Sequence, residues 1–190
     1  MASMAWVRVW PRWQRLLHAA LALTMVAALG TYEGGRLHEW AGYAALAFVL
    51  LRLALGFGGP VPARFSAFVR APMVTWDYAK AWWQGQEARH LNHNPLGAWM
   101  VVMLLSLGAG AAATGALYVT DRFWGEAWLI GAHALLAWPL VLMVPLHLAG
   151  VIHAIRRHRE NLVAAMWWHG CKREEARDPA LSTPETRLRG

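Results

Sequence analysis

The sequence predicts an all-α protein, a four-helix transmembrane bundle, on three observations. Hydrophobic residues fill 57% of the 190 positions and charged residues 15%, against roughly 25% charge in an ordinary soluble domain. Four long runs are almost free of charge, and lysine and arginine gather on one side of those runs. The same composition excludes disorder, which needs high charge and low hydrophobicity. A single cysteine, Cys171, excludes an intramolecular disulfide framework.

A membrane helix needs about 20 mostly apolar residues. The first run, Leu16 to Thr31, reaches that length if its helix begins at Pro11, a residue suited to a first helical turn. Arg8, Arg12 and Arg15, an apolar core and then Ala27, Ala28 and Gly30 are also the pattern of a cleaved leader. The second run, Leu37 to Phe57, holds only Glu39 and Arg52. The third and fourth, Leu96 to Thr120 and Ala127 to Ile155, hold no Asp, Glu, Lys or Arg. The expected spans are therefore about 11–31, 37–57, 96–120 and 127–155. They form one membrane domain over 1–168, and 169–190 is expected to be a mobile cytoplasmic tail, charged and broken by Pro179 and Pro184.

Between the second and third spans lies a long loop. Gly58, Gly59, Pro60 and Pro62 break the helix at its start. Pro72 then precedes Met73, Val74, Trp76, Tyr78, Trp82 and Trp83, which reads either as a short interfacial helix or as an irregular packed loop. The loops near 32–36 and 121–126 are short.

Sixteen of the 18 Lys and Arg flank the spans on one side, and only Arg36 and Arg122 lie on the other. The positive-inside rule then puts both termini in the cytoplasm. The net charge of +7 is thus a topology signal, and no nucleic-acid partner is expected. Twelve of the 13 tryptophans fall near span ends or in adjoining loops, as aromatic belts do.

Ionisable groups at membrane depth are costly and point to function. His18 lies near the inner start of span one and His38 at the outer start of span two. His133 and His147 lie 14 residues apart on span four; at about 100° and 1.5 Å per residue, they share a face roughly 21 Å apart. Matching depths pairs His18 with His147 on the cytoplasmic side and His38 with His133 on the outer side. Two facing histidines suit haem iron, which takes His as an axial ligand. Zinc is the rival, but a closed zinc site wants four ligands, and each pair supplies two. There is no Cys-x-x-Cys-His, so the expectation is two non-covalent haem b groups stacked in the bundle core.

Neighbouring residues fit that expectation. Gly42, four after His38, leaves room for a porphyrin, and Arg15, three before His18, shares its face. Arg52, 14 after His38, either pairs with a haem propionate or snorkels to the interface. His90, His93, His153, His158 and His169 read as surface or capping residues. Span three, with Gly108, Gly110, Ala112 and Thr114, reads as a scaffold helix.

The chain resembles the bacterial dihaem cytochrome b family, that is, the cytochrome b561 group and the b-type cytochrome subunit of Ni,Fe-hydrogenases. The resemblance rests on Arg15-Leu16-Leu17-His18, Leu37-His38-Glu39-Trp40-Ala41-Gly42-Tyr43, Leu51-Arg52-Leu53 with Gly56-Phe57-Gly58, His93-Asn94-Pro95, the His133–His147 spacing, and His158-Arg159-Glu160-Asn161-Leu162-Val163. It implies haem ligands on helices one, two and four, in a multi-pass protein of the bacterial inner membrane. It further implies electron transfer between the quinone pool and a periplasmic partner, a cytochrome c or a dehydrogenase or hydrogenase subunit. One departure is Ala134, where relatives often carry Glu. Some relatives instead act alone as superoxide:quinone oxidoreductases. The outer loops, with Glu33, Glu39, Asp121 and Glu126 against Arg36 and Arg122, are net acidic and favour a basic partner over superoxide.

The charge asymmetry has a direct check. Cysteines introduced into the Gly58–Pro95 loop and the tail should label only after cytoplasmic access is opened, and labelling from the periplasm reverses the orientation.

Overall fold

Local sequence chemistry sets the helix boundaries. A computed structural model describes residues 6–173. Strand β1, Trp6–Arg8, leads through Pro11 into α1, Arg12–Gly30. Gly34 and Gly35, both at positive φ, turn the chain into α2, Arg36–Gly58. The Gly/Pro-rich segment that follows makes one 3₁₀ turn, Val61–Ala63, and the single-turn helix α3, Phe65–Phe68. Pro72 opens α4, Pro72–Trp83. Asn94 caps α5, Pro95–Tyr118, accepting from the Gly97 amide at 2.7 Å.

Helix α6, Ala127–His158, runs 32 residues through Pro139 and Pro145. It ends on Arg156, Arg157 and His158, cations suited to a helix C-terminus. Arg159, at φ 52°, then turns the chain toward α7, Leu162–Ala164, which Asn161 caps. A wide π-type turn, Ala165–His169, leads to strand β2, Cys171–Arg173. Strand β2 pairs antiparallel with β1, Val7 opposite Lys172. The expected tail therefore opens with a paired strand; its remainder, 174–190, with Pro179 and Pro184, lies outside the described residues. Residues 72–83 take the helical one of their two readings.

The long helices pack α1 on α2, α2 on α5 and α5 on α6. Helix α2 buries Ala41, Ala45, Val49, Arg52 and Gly56, one face at helical spacing. Helix α5 answers with Ala98, Leu105, Gly108 and Ala111. Small residues on both faces let the backbones approach closely. The outward faces are apolar and exposed, with Leu16, Leu23, Leu50, Leu135 and Leu142 among them, as a lipid-facing surface would be. By length and composition α2, α5 and α6 can each cross a membrane. Helix α1 falls short of that standard because its first two turns carry Arg12, Gln14, Arg15 and His18.

Ion pairs close the end of the bundle where β1 and β2 pair. Glu87, with its side chain 1% exposed, faces His153 Nε2 and Arg157 Nε, each at 3.2 Å. Glu160 accepts from Arg89 and lies 3.6 Å from Lys172. Burial alone would push the Glu160 carboxyl up, but the hydrogen bond from Arg89 and the Lys172 charge outweigh it and hold it below its ordinary value. This contribution is present at neutral pH and is lost as pH falls through the lowered pKa. Removing one partner of a largely buried pair costs about 3 kcal/mol. Glu160→Ala should therefore lower Tm in detergent at pH 7, and the gap to the unmutated protein should close in acid.

Candidate functional site

Four of the nine histidines meet in pairs across the bundle. The rings of His18 on α1 and His147 on α6 have centroids 6.5 Å apart, tilted by 49°. Those of His38 on α2 and His133 on α6 are 6.0 Å apart, near perpendicular at 77°. An imidazole nitrogen bonds a transition metal at about 2 Å and lies about 1 Å from its ring centre, so two imidazoles sharing one ion have centroids about 6 Å apart. Both separations meet that requirement. Among the described residues, no group of three or more His, Cys, Asp or Glu could hold a metal ion. Each pair thus offers two imidazole nitrogens.

Backbone carbonyls orient the outer pair. His38 Nδ1 lies 3.0 Å from the Ala28 carbonyl at the end of α1, and His133 Nδ1 lies 2.8 Å from the Ala111 carbonyl of α5. A carbonyl oxygen only accepts, so each Nδ1 carries the proton and each Nε2 keeps a free lone pair. Gly115 makes the His133 position possible: a Cβ there would lie 3.1 Å from His133 Cε1 and 3.2 Å from Nδ1. Thr114 Oγ1, 3.4 Å from the same Nδ1, donates to the Gly110 and Ala111 carbonyls. Helix α5, read from the sequence as scaffold, therefore sets one of the four rings. Its small residues were legible as packing, but nothing in their spacing points to His133.

The inner pair is built differently. His18 packs edge-on against Trp167, with centroids 6.2 Å apart, and its buried Nδ1 has no hydrogen-bond partner. Arg15 brings Nε and Nη1, also buried and unpartnered, to the same face of α1. Arg52 is buried, and its guanidinium has partners within the protein. Its Nη1 donates to the Ala63 carbonyl at 3.2 Å, and the group lies over Phe65 and Phe68. At Gly42 an added Cβ would meet nothing within 4 Å, so that face of α2 is open beyond the glycine itself.

The other described histidines do local work. His153 joins Glu87 and Trp82, and His90 faces Tyr78. His169 Nδ1 accepts from the Cys171 amide. His93 packs on Phe68 at 4.8 Å, and its pKa is pushed down to about 4, first by burial and then by the Arg52 and Lys172 charges. It is neutral at physiological pH.

The family model for prokaryotic cytochrome b561 matches residues 9–169. No curated protein and no solved structure matches the chain. The match spans most of the sequence, and the chain belongs to this family: it is a membrane b-type cytochrome of electron transfer, with b-type haem as its cofactor. The ring spacing, the free Nε2 positions and the open face at Gly42 fit that group.

A methyl at position 115 would crowd the His133 ring. Gly115→Ala should therefore shift b-haem absorbance in the low-temperature optical spectrum, and an unchanged spectrum would show that position 115 does not set the ring.

Proposed function

We propose that this member of the prokaryotic cytochrome b561 family binds two b-type haems and carries electrons across the bacterial inner membrane, between quinone and a periplasmic redox protein. The observation that carries this reading is the ring separation of about 6 Å at two levels of α6, His133 and His147. Bound haem supplies a one-electron couple at each pair. The protein's part is to hold the imidazoles, set their tautomers and keep the two sites at different depths. His38 and His133 hold the outer group, and His18 and His147 the inner one, with Arg15, Gly42 and Arg52 around them.

The strand pair supports four crossings. Strands β1 and β2 bring residues near both ends of the chain together, so the helices between them cross the membrane an even number of times. Three helices are apolar enough to cross unaided. Helix α1, packed on α2, is the fourth, and its polar first turns face the inner site. Sixteen of 18 Lys and Arg then lie on the cytoplasmic side. That is the side of the inner pair, where quinone would react.

The outer loops carry exposed Glu33, Asp121 and Glu126 around exposed Trp124 and Trp128. An acidic rim with aromatic residues suits a basic partner such as a cytochrome c, or a dehydrogenase or hydrogenase subunit, and repels superoxide.

A pyridine haemochrome assay on purified protein should give two haems per chain, and one or none sinks the reading. His38→Ala and His133→Ala should each lose the same haem, and His18→Ala and His147→Ala the other. Loss patterns that couple His18 with His133 overturn the pairing.

A further inference from the structure

Among the described residues, six buried side-chain N or O atoms lack a hydrogen-bond partner, and five of them lie on one stretch of chain. They are Trp10 Nε1, Gln14 Oε1, Arg15 Nε, Arg15 Nη1 and His18 Nδ1; the sixth is Glu87 Oε2. Trp10 and Gln14 are each 7% exposed. A stretch of helix with this many unmatched buried polar atoms is strongly destabilised unless something pairs with them. The set is rich in donors and cationic at Arg15. What it lacks is an acceptor with negative charge.

Among the described residues, the buried carboxylates at this end already face other cations, though Glu87 Oε2 itself has no partner. Glu87 pairs with His153 and Arg157, and Glu160 with Arg89 and Lys172. The turn at Gly170 closes the other side. Its carbonyl accepts from the Val9 and Trp10 amides, and at φ 74° a Cβ would run into the Trp10 carbonyl and lie 3.5 Å from Arg15 Cδ. Gln14 and Arg15 lie on the face of α1 that carries His18, one helical turn away, and Gly170 packs against Trp10 and Arg15 beside them.

We propose that Trp10 and Arg15 form a carboxylate cradle for the propionates of the porphyrin held by His18 and His147. Arg52, the residue that spacing alone would favour, gives one guanidinium N–H to the Ala63 carbonyl and lies over Phe65 and Phe68, whereas Arg15 Nε and Nη1 are buried with no partner. This inference rests on the two-pair reading. Two parallel N–H bonds from a guanidinium match the two oxygens of a carboxylate, and the indole N–H adds a third donor. Gln14 takes either role, because its amide can turn to present oxygen or nitrogen. No buried unpartnered donor lies at the outer pair among the described residues. The cradle thus makes the two ends electrostatically unequal, with a fixed cation stabilising the reduced form of the inner group only.

An anionic lipid headgroup presents similar oxygens, and the test separates the two. Optical potentiometric titration of the full-length holoprotein is run on Arg15→Gln, Trp10→Phe and Arg15→Lys, with phospholipid phosphorus measured on each. The expected result is a lower midpoint for the inner haem alone in Arg15→Gln, a smaller drop in Trp10→Phe, and recovery in Arg15→Lys. Loss of only the inner haem in Arg15→Gln, with retention in Arg15→Lys, supports the cradle equally. Redox infrared spectra of protein loaded with carboxyl-labelled haem should show the labelled bands shifting in Arg15→Gln. Both midpoints unmoved with two haems retained overturn the cradle. Fewer bound phospholipids at unchanged midpoints also overturn it, in favour of lipid. A missing second haem in the unmutated protein is a different failure, that of the two-pair reading.

Discussion

Two imidazoles facing each other across a bundle cannot position one another, because each presents the same lone pair to the gap between them. Something behind each ring must hold it. At the outer end backbone carbonyls do this: Ala28 at the end of α1 holds His38, and Ala111 on α5 holds His133. Each of those carbonyls lies on a helix other than its histidine's own. The ring orientation therefore depends on how α1 meets α2 and how α5 meets α6. A shift of one helix against the next would break the ring's support before it separated the rings.

The opposite end is closed by charge. Strand β2 docks on β1, Glu160 gathers Arg89 and Lys172, and Glu87 gathers His153 and Arg157. These contacts tie the central loop to the end of α6 and to the start of the chain. An aromatic and cationic stack runs across the same region, from Arg52 over Phe68 to His93, Trp10 and Lys172. It holds Trp10 and the first turns of α1 beside His18, where a helix with Arg12, Gln14 and Arg15 would otherwise favour water.

The two ends therefore answer different demands. The outer pair sits under short loops, and its rings are supported by neutral backbone groups. On the chain leading to His18, Trp10, Gln14 and Arg15 each hold a buried polar atom with no partner.

Much of this was written in the sequence, because hydropathy and charge act on individual residues. Low charge, four apolar runs and the separation of Lys and Arg depend on no partner, and they fix the helical class and the approximate ends of the long helices. The 14-residue spacing of His133 and His147 depends only on the helical repeat, so the pairs could be matched by depth. Tertiary structure decided what depends on neighbours. Arg52 had two readings, and only the position of Ala63, Phe65 and Phe68 showed that its guanidinium is engaged. Gly115 and Ala111 matter because α6 brings His133 against them, and nothing local to α5 announces it. The tail's first residues pair with β1 through backbone hydrogen bonds, which composition does not encode. A residue's polarity is its own property, but whether a buried donor finds an acceptor depends on which chain segments the fold brings beside it.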